Sequence, residues 1–93
     1  MELMRLVNVM KESPDILVQI EGHTDSDGDP IHNFQLSQDR ANAVKVFLAE
    51  KGIAPERIKT IGYGSTKPAF LNTTTSEKQK NRRVEIRFEK NKK

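Results

Sequence analysis

The chain is short, with 93 residues, 16 basic and 13 acidic side chains, and a formal net charge of +3. This length fits a single domain over residues 1–93 and leaves little room for a large cofactor cavity. The sequence has no cysteine, which excludes disulfides, thiolate catalysis and zinc–thiolate sites. Its apolar runs fall far short of the roughly 20 residues that span a bilayer, so we expect no direct membrane insertion.

The positive charge is concentrated at the C-terminal end. Residues 1–77 carry a net charge of −3, whereas residues 78–93 carry +6. Basic tails of this kind bind phosphates, but here the charges alternate with Val84, Ile86 and Phe88, which is typical of a strand. We therefore expect no nucleic-acid partner, and a nucleic-acid binder that uses residues 78–93 is kept as an alternative of another class.

Hydrophobic periodicity predicts two helices and three strands. In chain order, the predicted elements are a helix built on Leu3, Leu6, Val7 and Met10, a strand over 16–21, a polar loop over 23–30, a helix over 33–51, a strand over 57–64, a loop over 65–75, a helical turn over 76–81 and a strand over 82–90. Asn33 is the expected N-cap of the long helix, and Gly52 is expected just past its end. This order predicts an α/β (α+β) two-layer sandwich, with the helices on one face of a small mixed sheet.

One arginine of the long helix lies on its predicted apolar face. At 100° per residue that face holds Leu36, Arg40, Ala43, Val44 and Phe47. A partly buried charge needs a counter-charge, and the loop before the helix offers the acidic residues Asp25, Asp27 and Asp29. Two interpretations stay open. Either an Asp25–Arg40 ion pair only pins the loop, or Asp25 accepts from a ligand ammonium while Arg40 binds a ligand carboxylate.

Other chemistries fail on spacing. An EF-hand loop that started at Asp25 would need Gly at its sixth position and Glu at its twelfth, where this chain has Pro30 and Leu36. His23, Asp25 and His32 lack the helical His/Glu spacing that favours a metal site, so we expect His23 to face solvent or to order the loop. No nucleophile has a base beside it in sequence. We expect no catalytic site, no metal and no cofactor.

The loop and the long helix resemble the signature of the OmpA-like peptidoglycan-binding domains. The pattern T-D-x-x-G-x-x-x-x-N-x-x-L-S-x-x-R-A is filled without a gap over residues 24–41. Gly62-Tyr63-Gly64, Pro68, Asn72 and the run N-R-R-V-E over 81–85 follow at the expected distances. The resemblance covers residues 16–88, which is most of the chain.

The resemblance implies noncovalent binding of peptidoglycan through the diaminopimelate residue of its stem peptide. In that family the Asp and Arg that correspond to Asp25 and Arg40 bind the free zwitterionic end of diaminopimelate. Thr24 and Asn33 match positions that shape the pocket, and Arg83 matches a position beside it. The implied partner is the stem peptide, and the implied location is the periplasm, as part of an outer-membrane or envelope-associated protein.

The sequence departs from the family pattern in two places. Family members usually have a strand before the first helix, so the chain resembles a member whose first strand is missing, which exposes a sheet edge and favours a homodimer. Ser76, Glu77 and Lys78 stand where the family commonly has Glu-Gly-Arg. Two further alternatives are kept: a flagellar-stator-type wall anchor of the same fold, and a structural or protein-interaction module in which Asp25 and Arg40 only pin the loop.

Overall fold

The computed structural model describes residues 3–66, 78–79 and 81–90. Its elements are α1 (Leu3–Glu12), β1 (Ile16–His23), α2 (Pro30–Glu50), a 3-10 turn (Pro55–Arg57), β2 (Ile58–Gly64) and β3 (Arg83–Lys90). Most of the predicted loop over 65–75 and half of the predicted turn over 76–81 lie outside the described residues, although positions 78, 79 and 81 are helical. No helix in these ranges is both long and apolar enough to cross a bilayer.

The three strands form one mixed sheet in the order β2-β1-β3, with β1 parallel to β2 and antiparallel to β3. Ile20 lies at the centre of β1, opposite Thr60 on one side and Ile86 on the other. The two helices and the sheet share one core, which consists of Leu6, Val7, Met10, Val18, Ile20, Ala41, Leu48, Ile53 and Ile58. The predicted fold class, two helices packed on a small mixed sheet, is confirmed.

Helix α1 ends at Glu12, just before Ser13 and Pro14. Its last turn closes with a hydrogen bond from Ser13 N to Val9 O (3.0 Å), and Pro14 then stops the helix. Arg57, at the end of the 3-10 turn before β2, binds the backbone between α1 and β1. Its guanidinium donates to Ser13 O (2.8 Å) and to Ile16 O (2.9 and 3.1 Å).

Helix α2 begins three residues before the predicted N-cap. Asp29 is the N-cap, because its carboxylate accepts from Ile31 N at 3.0 Å, and Pro30 occupies the first helical turn. The prediction that Asn33 caps the helix is therefore wrong. At the other end Lys51 is the C-cap, and Gly52 follows with φ +96°, as expected for a glycine just past a helix.

The face that α2 turns to the sheet also differs from the predicted one. The fully buried residues of α2 are Asn33, Ser37, Ala41 and Leu48. Arg40 lies at the edge of this face and is half-buried. The cause is close backbone contact, since a Cβ on Gly22 would stand 2.0 Å from Ser37 O and one on Gly62 would stand 2.6 Å from Gln38 N. Small residues, not the largest apolar ones, therefore define the contact.

Candidate ligand-binding site

The loop between β1 and α2 starts at the carboxyl ends of the two parallel strands. Thr24 N donates to Gly64 O at 2.8 Å, which fixes the first residue of the loop beside the end of β2. Asp25 Oδ1 then accepts from Asp27 N at 3.0 Å, and Gly28 completes the turn with φ +85°. These contacts hold the Asp25 carboxylate in place at 6% exposure.

Thr24 and Asn33 bind the backbone of this loop. The buried Asn33 amide donates to Asp27 O at 2.8 Å and to Asp25 O at 3.4 Å. The Thr24 hydroxyl donates to Asp25 O at 3.0 Å. Neither side chain lines the open pocket between α2 and the start of β3. Both therefore act on the site by fixing the loop that carries Asp25.

The ion partner of Asp25 is Arg82, which the sequence analysis did not assign. Arg82 Nη1 contacts Asp25 Oδ2, and the Arg82 side chain is 40% exposed. A second ion pair joins Lys78 Nζ to Asp27 Oδ1 at 3.0 Å. The interpretation in which an Asp25–Arg40 ion pair pins the loop is therefore corrected: Arg82 and Lys78, from the segment just before β3, pin it instead. The N-R-R run was the sequence signal for Arg82.

Arg40 lines an open pocket between α2 and the start of β3. The pocket has a volume of about 410 Å³ and is lined by Arg40, Gln79, Arg82, Arg83 and Val84. Within the described ranges Arg40 makes no hydrogen bond or ion pair. Three guanidinium groups favour an anionic ligand. Asp25 does not line this pocket, but it contacts Arg82, which does.

Arg83 lines the same pocket but has a counter-charge of its own. Its Nη2 and Nε lie 2.7 and 2.9 Å from Glu85 Oε2, and its Nη1 donates to Asn81 O at 3.2 Å. The hydrogen bond from Arg83 lowers the pKa of Glu85 below its ordinary value, against an opposing effect of burial. The positive charges of Arg83, His23 and Arg87 lower it further. Arg83 is thus oriented along the pocket wall by its own strand.

A second polar cluster lies on β1 and β3, where Glu21 pairs with Glu85 across the sheet. His23 is 2% exposed, and its Nε2 lies 3.2 Å from Glu85 Oε2 and 3.9 Å from Glu21 Oε1. Burial rules out the solvent-facing alternative for His23. One ligand atom from each of the three groups lies within 4.8 Å of the others, which is close enough to surround a metal ion. However, Arg87 Nε already contacts Glu21 at 2.8 Å and Arg83 contacts Glu85, so the carboxylates are neutralised without one.

The chain belongs to the OmpA family. The sequence profile of that family matches residues 1–82. This confirms the resemblance seen in the loop and the long helix. The family consists of non-enzymatic peptidoglycan-binding domains, in agreement with the expectation that the chain is not an enzyme.

Two solved structures and one sequence relative illustrate the relationship. Outer membrane porin F of Pseudomonas fluorescens is 41% identical over 88 residues, which are 95% of this chain and 27% of that protein. The peptidoglycan-associated lipoprotein from Burkholderia pseudomallei has a similar structure, with a TM-score of 0.90 and 28% identity over 94% of this chain and 74% of the other. The C-terminal domain of Helicobacter pylori MotB is also similar, with a TM-score of 0.86 and 28% identity over 96% of this chain and 70% of the other. The chain thus spans about a quarter of the length of porin F.

Proposed function

We propose that this chain binds peptidoglycan noncovalently through the diaminopimelate residue of the stem peptide, and so anchors an envelope protein to the cell wall. Membership of the OmpA family supports wall binding in general. The observation that carries the finer proposal is the composition of the pocket. It brings the half-buried guanidinium of Arg40, which has no counter-charge among the described residues, close to a cation that is held by the buried carboxylate of Asp25.

The free end of diaminopimelate matches this arrangement, because it carries an ammonium and a carboxylate on one carbon. The ammonium takes the place of Arg82 on Asp25, and the ligand carboxylate accepts hydrogen bonds from Arg40. A lysine in the same position has no such carboxylate and leaves Arg40 without an acceptor. Hydrogen bonds to charged groups contribute about 1.5 to 3 kcal/mol, so we expect a preference of at least about tenfold for diaminopimelate.

The other predicted site residues have supporting roles in this proposal. Thr24 and Asn33 fix the loop that carries Asp25, and Arg83 forms part of the pocket wall. We propose that residues 1–93 act as one wall-binding domain. We also propose that it works in the periplasm, because the relatives are envelope proteins.

The test is a titration followed by NMR or calorimetry. A soluble stem peptide with diaminopimelate and its lysine counterpart are added to the wild type, to Asp25→Asn and to Arg40→Gln. Asp15→Asn is the matched control, since Asp15 is an exposed carboxylate before β1 that does not line the pocket. We expect the wild type and Asp15→Asn to bind the diaminopimelate peptide. The Asp25 and Arg40 variants should lose at least tenfold in affinity while keeping the wild-type fold in their amide spectra.

Equal affinity for the two peptides, or full binding by both site variants, would leave only the structural alternative. In that case the loop, pinned by Arg82 and Lys78, would serve only the fold. The flagellar-stator-type anchor remains an alternative of the same fold. The similarity to both the lipoprotein and MotB means that the domain fold does not separate the two kinds of anchor. The segment attached to the domain in the full protein separates them.

We further infer that a second copy can pair along the outer edge of β3, which has one strand partner, β1, among the described residues. The sequence of β3 is self-complementary in antiparallel register. A two-fold axis at Ile86 places Glu85 opposite Arg87 of the second copy, and Val84 opposite Phe88. Val84 and Phe88 are both exposed in the single chain, so this pairing would cover them.

Sedimentation tests the pairing. We expect the wild type to show a concentration-dependent monomer–dimer equilibrium that Phe88→Lys abolishes. Phe34→Lys is the matched control, because Phe34 is equally exposed but lies on α2. A wild type that stays monomeric at millimolar concentration would rule out the dimer without affecting the ligand proposal.

A further inference from the structure

A ligand ammonium that binds Asp25 would change the ion pairs around the pocket. In the free chain Asp25 is the counter-charge of Arg82, Glu85 is that of Arg83, and Arg40 has none among the residues described. An ammonium on Asp25 releases the Arg82 guanidinium. Two cations of the pocket, Arg40 and Arg82, then lack an acceptor.

The zwitterionic end of diaminopimelate supplies only one carboxylate for these two guanidiniums. Glu85 does not supply a further acceptor, since Arg83 Nε and Nη2 already contact it. Arg82 cannot return to Asp25 while the ammonium is bound. The charge of the occupied pocket is balanced when the ligand brings a second carboxylate.

We propose that Arg82 is a specificity-determining residue that moves from Asp25 to a second carboxylate of the stem peptide. The inference rests on the proposed function, because the exchange begins when diaminopimelate occupies Asp25. A stem peptide offers the required group in two places next to diaminopimelate. One is the α-carboxylate of the preceding γ-linked glutamate, and the other is the C-terminal carboxylate of a stem that ends in diaminopimelate. Either source makes the domain selective for unamidated stems.

The position of Arg82 suits this exchange. Its side chain is 40% exposed although it contacts a carboxylate that is 8% exposed, so it can turn to the pocket without opening the core. Lys78 remains on Asp27 and keeps the loop attached to the segment before β3. The loop therefore stays formed while its ion pair with Arg82 is replaced.

Three tripeptides distinguish the two sources: one with both carboxylates free, one with the glutamate α-carboxylate amidated, and one with the C-terminal carboxylate amidated. Each is titrated by NMR or calorimetry into the wild type, Arg82→Gln and Arg87→Gln. Arg87 is the matched control, because it is also an exposed arginine in contact with a buried carboxylate, that of Glu21, but does not line the pocket. We expect one amidated peptide to bind the wild type and Arg87→Gln roughly tenfold more weakly than the free peptide. In Arg82→Gln that difference should vanish.

Two results would overturn the inference. One is equal binding of all three tripeptides to the wild type, and the other is an amidation penalty that persists in Arg82→Gln. Both differ from a failure of the proposed function, in which the free tripeptide does not bind or binds regardless of Asp25 and Arg40. If Arg82→Gln does not fold, Arg82→Lys replaces it. A loss of affinity on amidation that is smaller in Arg82→Lys than in the wild type supports the inference. An unchanged loss contradicts it.

Discussion

Replacement of Gly22 by alanine tests the packing that positions α2 over the sheet. The new Cβ would stand 2.0 Å from Ser37 O and 2.8 Å from the Ser37 carbonyl carbon. Because both atoms belong to the helix backbone, α2 must retreat by about 1.5 Å to restore an ordinary contact. Alanine gains up to about 1 kcal/mol from the lower entropy of the unfolded chain. Overpacking of a close contact costs about 1 to 3 kcal/mol or more, so we expect a net loss of about 2 kcal/mol.

Urea unfolding followed by circular dichroism measures this loss. Gly28→Ala is the control, since Gly28 has φ +85° but no atom within 4 Å of a new Cβ. Gly28→Ala has only the cost of the left-handed backbone, about 1 to 2 kcal/mol before the entropic gain. Its free energy of unfolding should therefore fall by about 1 kcal/mol or less. If Gly22→Ala is as stable as the wild type, or less destabilised than Gly28→Ala, then α2 does not pack through this contact.

Two further substitutions test contacts next to the site. Asn33→Leu removes both side-chain hydrogen bonds to Asp25 O and Asp27 O. In thermal unfolding it should lower the free energy of unfolding by about 1 to 3 kcal/mol, and the loop amides should exchange faster. Unchanged amide exchange would contradict this role. Glu85→Gln removes a carboxylate whose pKa is lowered by Arg83, and its partial exposure limits the loss to under about 1 kcal/mol at pH 7. A lowered pKa stabilises the fold above the ordinary value of 4.5. The difference between Glu85→Gln and the wild type should therefore shrink as the pH falls below 4.5 and disappear once it has passed the lowered pKa of the folded state. A difference that is constant with pH would refute the cause.

Local patterns predict most of the fold. The alternation of charged and apolar residues in β3 and the periodicity of α2 are properties of short windows. β3 begins within one residue of its predicted start, and α2 ends within one residue of its predicted end. The start of α2 was missed because Asp29 and Asn33 are both good N-caps. Pro30, which favours the first turn of a helix, was the signal that separates them.

The site was only partly predictable, because its pairing is not local. The linear pattern singles out Asp25 and Arg40, which lie 15 positions apart on one loop and helix. Asp25 pairs with Arg82, which lies 57 positions further along the chain. The antiparallel pairing of β3 with β1 brings the two residues together. The predicted apolar face of α2 was also displaced, since periodicity counts large apolar residues and this helix packs through Ser37 against glycine.

Recognition of the zwitterionic end of diaminopimelate by the pocket is tested most directly by the ratio of two dissociation constants for the wild-type chain. One is for a stem peptide with diaminopimelate, and the other is for the same peptide with lysine. We expect the lysine peptide to bind at least about tenfold more weakly, and Arg40→Gln to bring the ratio close to one. A ratio near one in the wild type would contradict it.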